Sequence, residues 1–190
     1  MSEHPRSVDE LIHALDQGRR FAYLPFWRPE PTADGSLGAS CLSQWWPAAF
    51  EIDGTTFATA EHYMMWRKAE LFGDTATATR ILAAAEPGRA KEHGRQVRDF
   101  DRTRWAEHRY EVVVTGNTAK FSQHPRLGEF LAGTGDQVLV EASPADTIWG
   151  IGLAADDPRL DQPDRWPGLN LIGFALADVR ARVRSADRHR

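Results

Sequence analysis

The stretch from Phe57 to Gly73 constrains the fold more than any other part of the chain. Thr59 is a typical residue to begin a helix, and Gly73 is a typical residue to end one. Between them, apolar side chains recur at helical spacing, at Ala60, Met64, Leu71 and Phe72. The sequence therefore predicts a central helix here, with a second helix capped by Asp74 behind it.

Glu61 and Lys68 lie two turns apart on this helix, within about 20° of each other around its axis. Met64, Met65 and Phe72 lie on or near the same face. A carboxylate and an amine on a largely apolar face are costly to bury unless they are paired or used in chemistry. The structural alternative is that Glu61 only favours the helix N-terminus and that Lys68 extends to solvent.

Lysine is rare in this chain. Of its 23 basic residues, only three are lysine, at positions 68, 91 and 120. Arginine does not lose its proton in proteins, whereas a desolvated lysine becomes a neutral nucleophile. This bias gives weak support to a reactive Lys68.

Bulk composition describes an ordinary globular protein. With 190 residues, 42% hydrophobic and 26% charged, the chain has the size of one domain with a real core. The net charge of −4 argues against a nucleic-acid partner held by bulk electrostatics, although it leaves a local basic groove open. Seven tryptophans, several beside Gly or Pro, fit a lined pocket.

Other sequence signals point to a cytoplasmic protein without a metal site. A lone cysteine, Cys41, rules out an internal disulfide and fits a reducing compartment. The N-terminal residues lack the apolar core of a signal peptide, and no apolar run has the length of a membrane span. The scattered histidines and single cysteine offer no zinc set, and nucleotide-binding and hydrolase motifs are absent.

The remaining pattern predicts a single α+β domain over residues 21–184, mainly helical with a small sheet. An accessory helix capped by Ser7 precedes it in residues 1–20, and a disordered tail follows in residues 185–190. The predicted strands cover 21–27 and 137–143, and a hairpin with a turn at Asp53-Gly54 uses the apolar runs 42–46 and 49–52. Loops are expected at 29–40 and 156–167, and helices at 7–17, 74–85, 88–94, from Asp101 to about residue 121, from Pro125, and at 169–184.

The long helix after Asp101 has Trp105, His108, Val112 and Ala119 as inward candidates. Gly116 costs helix stability, so it marks a place where another element packs closely. The glycines of the apolar segment 146–153 likewise allow backbone to approach something closely.

A series of motifs in fixed order resembles one known family. The chain is similar to the NADAR family of YbiA-like N-glycosidases from about Phe21 to Val183, because several specific motifs occur together and in order. These motifs are CLSQWWPAAFEIDGTTF, AEHYMMWRKAELFGD, AKEHGRQVRDF, TGNTAKFSQHP, TGDQVLVEASPADTIWGIGL and WPGLNLIGFALADVR.

The resemblance implies a compact, mainly helical α+β fold, cleavage of N-glycosidic bonds, and no metal or redox cofactor. The chain departs from the family pattern at Gln44, where members often have Asn, and in the longer loop 30–40; both bear on substrate identity. Carried over by motif, the implied site residues are Arg28, Glu61, Lys68, Trp105, Lys120, Asp146 and Trp149.

Three of these residues suit the bond cleavage itself. Breaking a ribosyl C–N bond passes through an oxocarbenium-like state, which carboxylates such as Glu61 and Asp146 stabilise if they face one pocket. A neutral Lys68 instead attacks C1 of the opened sugar and forms a Schiff base. The alternative for Asp146 is that it only caps a turn after Pro144-Ala145.

The other four residues suit substrate binding. Trp105 and Trp149 have rings that stack on a base or exclude water, and Arg28 and Lys120 have charges that hold a phosphate. The structural alternatives are a core position for Trp149 and an ion pair with a nearby acid for Lys120.

Three functions are open, and the first two are the substrate classes that the resemblance to the family implies. The first is hydrolysis of a small phosphorylated ribosylamino-pyrimidine, an intermediate of riboflavin synthesis. The second is removal of ADP-ribose from guanine in nucleic acid, and the third is non-catalytic binding of ADP-ribose or a similar ligand. The sequence does not choose between the first two.

Overall fold

Helices dominate the fold, and the strands are few and short. The computed structural model describes residues 4–187. The predicted α+β class, mainly helical with little sheet, is confirmed. The elements in chain order are α1 Val8–Asp16, β1 Tyr23–Phe26, β2 Phe50–Ile52, β3 Thr55–Phe57, α2 Ala60–Leu71, α3 Thr75–Leu82, α4 Pro87–Arg95, α5 Arg102–Gln123, α6 Pro125–Gly133, β4 Val138–Glu141 and α7 Leu171–Asp187, with 3₁₀ turns at Ala39–Leu42 and Pro163–Arg165.

Local capping explains where four of the helices begin. Each predicted cap residue accepts a hydrogen bond from the backbone N–H three residues ahead, which satisfies an orphan donor of the first turn. The donor–acceptor distances are 3.1 Å for Ser7, 3.4 Å for Thr59, 3.1 Å for Asp74 and 2.7 Å for Asp101. At the other end of α2, Gly73 has the left-handed φ of +69° that the predicted stop requires.

The chain divides into two units, one formed by Gln44–His124 and the other by the segments before and after it. We call the first the central unit and the second the terminal unit. The central unit contains β2, β3 and α2 to α5, while the terminal unit contains α1, β1, α6, β4 and α7.

The sequence predicts a hairpin between the runs 42–46 and 49–52. In the structure, the second of these runs pairs instead with the residues after Gly54. Strands β2 and β3 pair in antiparallel register, Phe50 opposite Phe57, around the predicted turn, whose residues Asp53 and Gly54 both have positive φ. The run 42–46 forms no strand. A 3₁₀ turn ends at Leu42 instead, because the β-branched and aromatic run after Gly54 pairs through the shortest turn.

Helix α2 packs against α3, α4 and α5 in the central unit, so its predicted central position is confirmed. Aromatic rings fill the contact between the hairpin and the helices. The Phe57 and Tyr63 rings meet edge to face with centroids 5.0 Å apart, and Phe50 packs against both. Pairs of this geometry stabilise a core beyond their buried area.

Gly116 of α5 faces Tyr63 of α2. A Cβ atom at Gly116 would overlap the Tyr63 ring, so the glycine allows the two helices to approach closely. This confirms the prediction that Gly116 marks close packing.

The inward face of α5 is only partly as predicted. Trp105 is buried, and Val112 and Ala119 pack against the aromatic cluster. His108 is exposed, so its predicted inward position is wrong. Helix α5 has 22 residues against 12 in α2, so α2 cannot cover its whole length.

In the terminal unit, β1 pairs with β4 in parallel, with Tyr23 opposite Val138 and Phe26 opposite Glu141. Asn170 extends this pairing, because its side chain accepts from the Glu141 N–H and donates to the Leu139 carbonyl. A buried amide thus takes the place of a further strand beside β4.

The apolar segment 146–153 has neither helix nor strand, and it lies against the end of β4. The Ile151 N–H donates to the Glu141 carbonyl at 3.0 Å. A Cβ at Gly150 would lie 2.6 Å from that carbonyl oxygen, so the close backbone approach predicted for these glycines is confirmed.

At the ends of the described chain, the structure differs from the sequence-based prediction in how far the last helix extends. Helix α1 lies within the predicted range 7–17. Helix α7 continues to Asp187, so residues 185–187 are helical where a disordered tail was predicted. The rest of that predicted tail, 188–190, lies outside the described residues. Between residues 4 and 187, none of the helices has both the length and the apolar character needed to cross a bilayer.

Replacing Gly116 with Ala tests the close contact between α2 and α5. We expect Gly116→Ala to lower the free energy of unfolding by about 1–2 kcal/mol, because overpacking against Tyr63 outweighs the gain in helix propensity. Gly133→Ala is the matched control, since a Cβ there meets nothing within 4 Å. Urea unfolding measures both, and a Gly116→Ala midpoint equal to or above that of the wild type contradicts the packing argument.

Candidate functional site

Glu61 lies in the first turn of α2 and is only 2% exposed. Its backbone N–H donates to the Gln44 carbonyl at 3.0 Å. A buried carboxylate at this position benefits from the positive end of the helix dipole. Glu61 is therefore a desolvated carboxyl group placed where the start of the helix favours its ionised form.

Gln44 fastens the start of α2 to α5. Its side-chain amide exchanges two hydrogen bonds with the Asn117 amide, at 3.1 and 3.3 Å, and both residues are buried. Asn117 also donates to the Val113 carbonyl. In the sequence, Gln44 stands out only as a departure from the family pattern. Asn117 was not predicted, and its signal was a polar residue beside Gly116 on an inward helix face.

His62 is a second buried polar residue of α2 that sequence analysis did not single out. Burial lowers the pKa of the His62 imidazole, and the hydrogen bond to the Ala84 carbonyl raises it in part. Because that carbonyl only accepts, Nε2 carries the proton and Nδ1 accepts from the Thr59 hydroxyl, at 3.1 and 2.8 Å. His62 thus joins the cap of α2 to the chain after α3.

Lys68 lies near the end of α2, half-buried. Its Nζ donates to the Gly94 carbonyl at 2.7 Å and lies 4.2 Å from the centroid of the Phe100 ring. Burial lowers the pKa of the Lys68 amine, and the neighbouring Arg95 charge lowers it further. The Glu61 charge raises that pKa and only partly offsets these effects. The neutral amine is therefore more accessible here than for a lysine in water.

Phe100 beside Lys68 is another residue that sequence analysis missed. It follows Asp99, which has a φ of +52°, and it remains substantially exposed while packing against Phe72 at 5.4 Å. An aromatic residue in an otherwise polar segment before the Asp101 cap was the available signal. Its ring and the Gly94 carbonyl together hold the Lys68 amine.

Trp105 and Lys120 lie on α5, and both are buried. Lys120 is 0% exposed, and its Nζ lies 4.9 Å from the centroid of the neighbouring Phe121 ring. Trp105 lies in the first turn of α5. Their roles in binding base and phosphate stay predictions.

Asp146 and Trp149 of the terminal unit belong to one turn. The Asp146 Oδ1 accepts from the backbone N–H groups of Ile148 and Trp149, at 3.0 and 2.8 Å. The turn-capping alternative therefore describes a real contact of Asp146. Oδ1 makes both of these bonds, and Oδ2 takes no part in them. The Trp149 side chain is half-buried.

Arg28 is exposed in the terminal unit. Its guanidinium lies 4.6 Å from the centroid of the Trp27 ring and 3.8 Å from the Glu30 carboxylate. Because an exposed ion pair at this distance is weak, Arg28 stays accessible to an anionic ligand.

The described contacts thus join four of the predicted site residues in two pairs. Glu61 and Lys68 share α2, where the charge of one acts on the other. Asp146 and Trp149 share one turn. That Glu61 and Asp146 face one pocket stays a prediction from the motifs.

Comparison with known proteins agrees with the fold and the motifs. The family model of the NADAR domain matches residues 25–184. An N-glycosidase of Acanthamoeba polyphaga mimivirus is 43% identical over 148 residues, which cover 75% of this chain and 87% of that protein. A riboflavin biosynthesis protein of Vibrio vulnificus is 31% identical over 111 residues, 58% of this chain and 29% of that protein.

A solved structure shares the fold. The NMR structure of the Escherichia coli protein YbiA matches with a TM-score of 0.68 at 23% identity, covering 90% of each chain. By sequence, the E. coli N-glycosidase YbiA is 29% identical over 138 residues, 73% of this chain and 76% of that protein.

These matches define an enzyme of the N-glycosidase class, a hydrolase that acts on N-glycosyl compounds. The chain belongs to the NADAR family. The family match runs through both units. The similarity to the YbiA structure confirms the fold that the resemblance implies.

Asp146→Asn separates the two roles of Asp146. The amide Oδ1 of asparagine still accepts the two N–H groups of the turn, so we expect a melting temperature within about 2 °C of the wild type. If the carboxylate charge takes part in the reaction, kcat falls by about 10²-fold or more. Asp146→Ala is the comparison variant, because it removes the turn contacts as well. Near-wild-type kcat in a folded Asp146→Asn variant shows that Asp146 only caps the turn.

Proposed function

We propose that this enzyme hydrolyses the C–N bond between a phosphorylated ribosyl group and a base, with a ribosylamino-pyrimidine as substrate. The observation that carries the proposal is the pair on α2: a buried Glu61 and a half-buried Lys68 whose pKa is lowered. Groups with perturbed pKa values in partly desolvated positions are frequent at catalytic sites.

Lys68 acts as the nucleophile in this proposal. When the sugar ring opens, C1 is joined to the nitrogen of the base as an imine. The neutral Lys68 amine adds to C1, and the C1–N bond to the base then breaks as the two protons of the amine pass to the base nitrogen, which leaves Lys68 joined to C1 as a Schiff base. Water then hydrolyses the Schiff base, which returns the free amine and releases the sugar as its aldehyde. The Gly94 carbonyl holds the amine by a contact that both its charged and its neutral forms make.

Carboxylates stabilise the charge that develops on the sugar. We assign this role to Glu61, whose burial strengthens its field, and we keep Asp146 as the second carboxylate on the strength of its motif. Where Lys68 does not bond to the sugar, the same two carboxylates support direct attack by water.

Substrate binding falls to the remaining motif residues. Arg28 and Lys120 are proposed to hold the phosphate, and Trp105 and Trp149 to stack on the base or exclude water. The small phosphorylated substrate is preferred because one relative is named as a riboflavin biosynthesis protein. The net charge of −4 is unfavourable for tight binding of nucleic acid.

Removal of ADP-ribose from guanine in nucleic acid is the second candidate, because it breaks the same kind of bond. A direct test incubates the enzyme with a phosphorylated ribosylamino-pyrimidine and, separately, with an oligonucleotide that carries ADP-ribosyl guanine. Mass spectrometry follows the released base or ADP-ribose. We expect release from the first substrate at a kcat/KM at least about 10²-fold higher than from the second. If kcat/KM is higher for the oligonucleotide, the first candidate function is wrong and the second takes its place.

The Lys68 nucleophile is tested by Lys68→Arg, which keeps the positive charge but forms no Schiff base. We expect a folded variant with kcat reduced by about 10³-fold or more, and borohydride reduction during turnover to trap a sugar adduct on Lys68 of the wild type. The rate of the wild type should rise with pH through a pKa below the ordinary lysine value of 10.5, because only the neutral amine attacks.

Lys91→Arg is the matched control, since Lys91 is also half-buried and lies 6.0 Å from the Trp45 ring. It should keep both the activity and the adduct. If Lys68→Arg retains a near-wild-type rate, covalent catalysis is wrong and the carboxylates act through water.

A further inference from the structure

The terminal unit contains a cavity of about 160 Å³ that is lined by none of the seven predicted site residues. Basic side chains dominate its wall, with one acid among them. The lining residues are His4, Arg19, Phe21, Asp136, Ala177, Arg180, Ala181 and Arg184. In a chain of net charge −4, three arginines around one cavity form a local concentration of positive charge.

Arg180 is the buried charge of this cavity, with 4% of its surface exposed. Both of its hydrogen bonds to described residues come from Nη1, to the Thr134 hydroxyl and the Gln137 carbonyl at 2.9 Å. Burial and the neighbouring Arg184 charge lower the pKa of the Arg180 guanidinium to about 10. A guanidinium has five N–H donors, so Nε and Nη2 still have donors for a ligand.

The acidic side chain that lines the cavity offsets little of the positive charge of its arginines. Asp136 pairs with Arg184 at 3.3 Å, and the Asp136 side chain is 95% exposed, so solvent screens its charge. Arg184 also donates to the carbonyls of Ala132 and Gly135, which cap the end of α6. Those contacts explain the position of Arg184, but they do not neutralise the charge of the cavity wall.

The other wall of the cavity is apolar. A smaller adjoining cavity of about 20 Å³ shares Phe21, Ala177 and Arg180, and it adds Val138, Leu139 and Phe174. An apolar cavity of roughly 150 Å³ is known to hold benzene, so a single ring fits a space of this size.

The segment before β1 builds one side of the cavity. His4 and Arg6 hold it to α7 through the Asp178 carboxylate, at 2.8 and 2.7 Å. His4, Arg19 and Phe21 all precede the region that the family model matches, which begins at residue 25. Three of the lining residues therefore lie before the matched region, and the other five lie within it.

We propose that this cavity binds a small organic oxyanion, a phosphate monoester or carboxylate on a flat ring. The oxyanion contacts the guanidinium groups of Arg180 and Arg19, where charge-assisted hydrogen bonds are strong. The ring packs against Phe21 and Ala177. The site needs no bond cleavage and is independent of the reaction proposed above.

The test is a titration of the ¹⁵N-labelled full chain with phenyl phosphate, benzoate and inorganic phosphate at fixed ionic strength, followed by amide chemical shifts. We expect saturable shifts at Phe21, Ala177 and Ala181 with phenyl phosphate or benzoate, and weaker binding of inorganic phosphate. Whichever ring compound binds more tightly identifies the oxyanion.

Three variants decide the assignment. Arg19→Ala removes an exposed charge of the wall, and Ala177→Leu fills the apolar side without a change of charge; each should weaken binding by about tenfold or more. Arg126→Ala, an exposed arginine of α6 outside the lining, should leave the affinity unchanged.

Four results overturn the proposal. The first is shifts that do not saturate or that cluster away from the cavity, and the second is equal affinity for inorganic phosphate and the ring compounds. The third is an effect of Arg126→Ala as large as that of Arg19→Ala. The fourth is unchanged affinity in both Arg19→Ala and Ala177→Leu.

Discussion

The close approach of α2 to its neighbours is the constraint on which the α2 candidates depend. Gly116 admits the Tyr63 ring from one side, and a Cβ at Gly94 would overlap the Met65 side chain on another. Larger residues at either glycine would push α2 outward. Because α2 is held this closely, Glu61 is buried at its start and Lys68 reaches the Gly94 carbonyl near its end.

The cost of burying a charge on α2 is offset by different contacts at the two ends of the helix. The helix N-terminus favours the Glu61 carboxylate, while a carbonyl and an aromatic face hold the Lys68 amine. These contacts are enough to keep Lys68 in place but not enough to restore its ordinary pKa. The same desolvation that costs stability therefore makes the neutral amine of Lys68 easier to form, which its proposed role as a nucleophile requires.

In the terminal unit, hydrogen bonds of irregular backbone segments position the candidate residues. In the central unit, helix packing positions them. Asn170, with a φ of +51°, bridges β4 and the start of α7, and Gly150 lies against the Glu141 carbonyl. These contacts position the turn in which Asp146 accepts the Trp149 N–H. A short segment without helix or strand is thus placed by hydrogen bonds to buried backbone.

The sequence by itself determined what depends on near neighbours in the chain. The caps at Thr59, Asp74 and Asp101, the hairpin turn at Asp53-Gly54 and the shared face of Glu61 and Lys68 follow from residues within two helical turns of one another. The motif order was enough to identify the family and its chemistry.

Only the tertiary structure decided which distant residues meet. The parallel pairing of β1 with β4, the Gln44–Asn117 amide pair and the place of Phe100 beside Lys68 join residues 32 to 115 positions apart. The cavity between the N-terminal segment and α7 has the same origin. No local propensity encodes such contacts, because they form only when packing brings their elements together.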